Sequence, residues 1–197
     1  MTLAMSMVLA LIASATVSAA DADAKEALMK SQRAQLEAKA YRIKMNTTSP
    51  GMEKGFSSTV EFVAPDRYHM VQPQMETIVV GPATYMKTAG QDWQKSPVDM
   101  GDMMKKSRDP KALEEQAKNM GDVKIVGKEK IDGVDCTVYE ATSKVGETST
   151  VSKVWVGNSD SLTRKVESES TLPNGKSKST ITYEYDSKIK IDAPTVK

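Results

Sequence analysis

Cysteine is almost absent from this chain of 197 residues, where Cys136 stands alone. An intramolecular disulfide is therefore excluded, and the fold has to be held by packing. Histidine is equally scarce, with His69 the single imidazole. One His and one Cys do not make a zinc set, and the carboxylates never fall in the Asp-x-Asp-x-Asp-Gly spacing of a calcium loop. A Ser-His-Asp arrangement would have to be built wholly around His69, and there is no Gly-x-Ser-x-Gly elbow to seat a nucleophile. No glycine-rich phosphate cradle is present either. Charge of one sign is missing too. Lys and Arg number 27 against 26 Asp and Glu, a net charge of +1, so composition gives no pull toward nucleic acid or an anionic membrane. These absences exclude the common hydrolase, metal and nucleotide chemistries, and they predict a protein without catalytic residues, metal or cofactor.

Long apolar runs are missing apart from the first twenty residues, MTLAMSMVLALIASATVSAA. That stretch is uncharged and ends in the small residues Val17, Ser18, Ala19 and Ala20, the signature of a cleaved secretory signal. It is short for a membrane span, and Asp21 and Asp23 follow it. Residues 1–20 are read as a signal peptide and residues 21–197 as a single domain, a length sufficient for one core. The expected compartment is the periplasm. Cys136 reads as a small buried hydrophobe on a strand, since no activating group lies near it in sequence.

What the chain does have is short extended runs with turn punctuation. Asp21 to Ala40 lacks Gly and Pro and predicts a helix, with Ala24, Leu28, Ser31 and Gln35 on one line of its surface. Tyr41 to Met45 alternates as a half-buried strand does, with Tyr41, Ile43 and Met45 on one side. Phe56 to Val63, Arg67 to Val71, Met75 to Val80 and Thr84 to Lys87 follow as strands, with turns at Pro73 and at Gly81-Pro82. Met100, Met103 and Met104 then fall at helical spacing. Asp109-Pro110 offers an N-cap and a first-turn proline for a helix to about Met120, stopped by Gly121. The chain returns to strands at Val123 to Ile131, Val134 to Ala141, Thr148 to Val156, Leu162 to Thr171 and Lys178 to Tyr185, with an Asp132-Gly133 hairpin turn. Serine and threonine, dense from Ser143 to Thr182, read as exposed strand faces. About ten strands, one helix before them and one or two inserted between them predict an α+β fold with its helices gathered on one side of the sheet.

The segment from Pro65 to Trp93 carries a resemblance. Pro65, Tyr68, Met70, Gln72, Pro73, Ile78, Val79, Tyr85 and Trp93 stand in an order that resembles the LolA/LolB-like lipoprotein carriers of the Gram-negative periplasm. The resemblance implies an incomplete antiparallel β-barrel, with helices across its concave face and a hydrophobic cavity between them for acyl chains. In the best-known carriers an arginine precedes this proline and helps hold the closed state through contacts to the lid; here that position is Ala64. Mapped onto that architecture, the methionines concentrate around the cavity. Flexible thioethers adapt to hydrocarbon of varying shape. The expected lining is Tyr68, Met70, Met75, Tyr85, Met86, Trp93, Met100, Met103, Met104, Leu113 and Met120. Lys105, Lys106 and Arg108 form a basic cluster that reads either as a solvated helix end or as a contact for lipid headgroups.

The function implied is that of an exported soluble carrier, binding acyl chains of lipids or lipoproteins for trafficking to the outer membrane. The alternative is a periplasmic sensor or regulator on the same fold that binds a protein partner. A partner in the inner or outer membrane, a monomeric state and no nucleic acid complete the expectation.

Overall fold

The computed structural model describes residues 19–118 and 120–196, so all but the last two residues of the expected signal peptide lie outside it. A helix α1 spans Ala19–Glu37 and ends three residues earlier than the sequence suggests, because Ala40 already pairs with Val63. Five strands then run as a meander: β1 (Ala40–Thr48), β2 (Phe56–Val63), β3 (Arg67–Gln72), β4 (Met75–Val80) and β5 (Ala83–Thr88). A two-residue strand β6 (Gln94–Lys95) closes this half, and α2 (Gly101–Ser107) and α3 (Pro110–Lys118) come next. The second meander is β7 (Met120–Ile131), β8 (Val134–Val145), β9 (Thr148–Gly157), β10 (Thr163–Leu172) and β11 (Gly175–Glu184).

The strands make one antiparallel sheet of 11 strands in the order β6-β5-β4-β3-β2-β1-β11-β10-β9-β8-β7. The two meanders are joined side by side where β1 pairs with β11, Met45 opposite Ile181. The sheet does not close: β6 and β7 are its edges. This is the incomplete barrel expected, with one more strand than the sequence count, since two residues are too short to show a period-two pattern.

Two turns illustrate why the strands end where they do. Asp132 and Gly133 both have positive φ, 48° and 83°, as a two-residue hairpin turn with the right-handed strand twist demands. Asp109 Oδ1 accepts the Lys111 amide at 2.9 Å and so caps α3. That helix stops at Lys118, and Met120 opens β7, so Met120 is a strand residue and not part of a helical stripe. Gly121 is needed for another reason than ending a helix. A Cβ there would stand 2.7 Å from Thr142 Oγ1, so glycine permits the close approach of β7 to β8. The pairing of β7 with β8 is irregular at two places, between Met120 and Val123 and between Ile125 and Gly127.

The helices lie on the concave face. Ala24 and Leu28 of α1 are buried against Val123, Tyr139 and Val156, with Met120, Ala141 and Val154 around them. Ser31, on the same helix line, is buried and shares a 2.8 Å hydrogen bond with Thr163. Met100 and Met104 pack on Tyr41, Phe62, Tyr68 and Val79 of the first meander. A smaller cluster, Cys136, Val138 and Trp155, occupies the opposite face. Burial raises the Cys136 thiol above its ordinary pKa, which suits a packing residue rather than a nucleophile. The tail past β11 is coil, yet Ile189 and Ile191 are buried and Arg67 holds the Ile191 carbonyl at 2.6 Å.

Candidate functional site

Cross-strand register fixes which side chains share the concave face. One row runs Tyr41, Phe62, Tyr68, Val79 and Thr84, and the next runs Ile43, Val60, Met70, Thr77 and Met86. The first row is filled. Phe62 and Val79 are 1% and 0% exposed, and the rings of Tyr41, Phe62 and Tyr68 meet at 5.2 and 5.0 Å between centroids. From the helices, Met100 and Met104 complete this plug. Its cover is pinned: the Met100 amide donates to Thr84 Oγ1 at 3.0 Å. A Cβ on Gly101 would come within 2.3 Å of the Gly81 carbonyl, so only glycine lets α2 start there.

Arg108, between α2 and α3, binds the cover to the sheet. Its guanidinium donates to Tyr41 Oη at 2.7 Å and to the Leu36 carbonyl at the end of α1. It also lies 3.9 Å from the centre of the Phe62 ring, within cation–π range. Arg108 is therefore no solvated helix end. The guanidinium that ties cover to sheet comes from the cover, and the position before Pro65 is Ala64.

Beneath α1 the same concave face is open. A recess of about 390 Å³ lies between Leu28, Gln32 and Gln35 of α1 and the inward residues of the second meander, among them Ala141, Val154, Val166 and Tyr183. That volume is in the range of small-molecule pockets. Its floor grades from aliphatic to hydroxyl. Ile181, Val166, Val154 and Tyr139 form one cross-strand row, and Ser179, Ser168, Ser152 and Ala141 the next. The hydroxyls satisfy one another in pairs: Ser152 with Ser168 at 2.8 Å, Thr150 with Ser170 at 2.9 Å and Thr47 with Ser179 at 3.2 Å. Burial pushes the phenols of Tyr183 and Tyr185 up from their ordinary pKa, so both stay neutral. Tyr183 is hydrogen-bonded to Gln35, and Tyr185 donates to the Thr163 carbonyl at 2.9 Å.

The expected lining residues separate into groups. Met120 lines the recess. Tyr68, Met70, Met100 and Met104 belong to the neighbouring plug, and Met75 and Met86 share its face of the sheet by register. Leu113 is half-buried on α3. Three residues are corrected. Tyr85 pairs with Ile78 and points to the opposite face from Tyr68. Trp93 stacks near Lys87, which shares that opposite face. Met103 is 56% exposed. Ser152, Ser168, Ser170 and Ser179 are also corrected, from exposed strand faces to the concave floor, whereas Ser149 is exposed as expected. Their i, i+2 recurrence with Val154, Val166 and Ile181 was the signal for a hollow, since small side chains on an inward face leave space.

His69 sits on the outward face between two carboxylates, 3.3 Å from Glu61 and 3.7 Å from Glu76. Among the described residues no helix is long and apolar enough to cross a membrane, and no cluster of three His, Cys, Asp or Glu residues could hold a metal ion.

No family model matches the sequence, and no curated protein matches it. Solved structures do. The lipoprotein LppX of Mycobacterium tuberculosis superposes with a TM-score of 0.64 at 16% identity, over 87% of this chain and 100% of its own. LprF of Mycobacterium bovis gives a TM-score of 0.61 at 14% identity, over 89% of this chain and 98% of its own. The chain has the fold of these two structures. At these identities the likeness is one of architecture: a half-barrel shared nearly end to end, carrying sequences that have almost nothing else in common.

Proposed function

We propose that this protein is an exported, monomeric carrier that shelters the acyl chains of lipids or lipoproteins, moving them through the periplasm toward the outer membrane. Residues 1–20 direct export, and the domain of residues 21–197 does the carrying without chemistry of its own. The observation that supports this reading is the recess beneath α1, a space of about 390 Å³ with Leu28, Val154 and Val166 on its walls. Moving hydrocarbon from water to such a space is favourable by about 0.8 kcal/mol per methylene. Met120 stands at the recess, a flexible thioether that adapts to chains of varying shape.

Mass spectrometry of organic extracts from protein purified out of an exporting host tests the reading, together with uptake of the uncharged fluorophore phenylnaphthylamine. Co-purified lipid and fluorophore uptake are expected. A protein that brings no lipid and takes up no fluorophore is not a carrier. Sequencing the mature N-terminus tests the export step, with Asp21 as the expected first residue.

A further inference from the structure

Along the wall of the recess Gln32 differs from the polar residues around it. Its Oε1 is sealed from solvent and has no hydrogen-bond partner among the described residues. Leaving such an oxygen unmatched is costly, which is why buried polar atoms are normally paired. Several neighbouring hydroxyls are already committed: Ser31 to Thr163 at 2.8 Å, Ser152 to Ser168 at 2.8 Å, and Thr142 to the Asp122 amide at 3.2 Å. Gln32 is thus a polar residue on the recess wall whose oxygen no described residue satisfies.

The charge of the wall narrows what that is. Among the described residues, no Lys, Arg, His, Asp or Glu lines the recess. Lys25, near Met120, is turned to the Met120 carbonyl at 3.0 Å. A carboxylate drawn into this space would lose its water without gaining a cation, and burying an unpaired charge is strongly unfavourable.

We infer that the recess takes an uncharged aliphatic ligand bearing a hydroxyl group, a fatty alcohol or acylglycerol in chemical class, with that hydroxyl bonded to the side-chain amide of Gln32. A hydroxyl both donates and accepts, so it meets the amide with either its oxygen or its nitrogen turned inward. The inference rests on the carrier reading and gives that reading a ligand class.

Displacement of phenylnaphthylamine from the full chain by dodecanol, dodecyl methyl ether and dodecanoate, at about pH 8 where the last is ionised, tests it. Dodecanol is expected to compete about tenfold better than either of the others. Gln32→Leu should erase the advantage of dodecanol over the ether. Gln32→Glu, closer in shape, should turn the preference toward dodecylammonium, which guards against a folding defect in the leucine variant. Dodecanoate competing as well as dodecanol, or dodecanol indifferent to both Gln32 variants, overturns the inference while leaving a carrier in place. If neither the fluorophore nor any chain is bound, the carrier reading itself falls, and the ligand class with it.

Discussion

Under α2 the concave face is packed solid by Tyr41, Phe62, Tyr68 and Val79, while under α1 the same face presents Ala141, Ser152, Val154 and Val166 and leaves a hollow. Strand direction does not explain this contrast, because both halves are antiparallel meanders joined through β1 and β11. Side-chain volume does. Three aromatic rings in successive strands fill one half, and small or β-branched residues at equivalent inward positions leave the other open. Hydroxyl pairing lets that open half carry serine without unsatisfied polar atoms, at no cost in space.

The comparison can be broken at several points. Phe62→Ala removes the centre of the filled half and should lower stability by about 3–5 kcal/mol in urea unfolding. A loss below about 1 kcal/mol would mean the plug is not the core it resembles. Arg108→Met removes charge-assisted bonds to Tyr41 and Leu36 and should cost about 2–3 kcal/mol, with amide exchange in α2 and α3 rising more than in β8 to β10. Ala141→Leu enters the hollow half, where there is room, so stability should stay within about 1.5 kcal/mol while fluorophore uptake weakens about tenfold. Equal uptake in that variant would separate binding from the recess.

Alkaline pH probes the boundary between the halves, where Tyr41, Tyr183 and Tyr185 stand. Burial raises all three phenols above their ordinary value of 10.0. The unfolded chain therefore loses these protons first. Their contribution to stability is complete below pH 10.0 and is lost as pH climbs through the folded-state values. Tyr185→Phe should flatten the alkaline loss seen in pH-dependent unfolding. The smallest effect belongs to Ser168→Ala, about 1 kcal/mol or less, since Ser152 can turn its hydroxyl to the open recess.

Much of the architecture was legible because turns in this chain are chemically explicit. Asp132-Gly133, Gly81-Pro82 and Asp109-Pro110 each mark a place where backbone geometry admits few residues, and the elements end beside them. The two-residue β6 has no period to read, and Gly121 imitates a helix stop while serving a close contact with Thr142. The lining of the site was harder to read, because facing depends on pairing. Turns of two residues put Gln72 opposite Met75 and Val80 opposite Ala83, and those offsets carry Tyr85 to the other face from Tyr68. Residue type pointed to the methionines and aromatics, which close space; the hollow belonged to the serines and alanine, which leave it.

An unclosed sheet has two rows of backbone amides and carbonyls with no strand beyond them, an invitation to stack against another copy. At one end the last strand is only two residues long. At the other, β7 is twelve residues long but twice kinked out of register, and it carries Lys124, Lys128 and Lys130. Irregular in pairing and set with lysines, that border is a poorer template for a twelfth strand than a straight, uncharged edge would be.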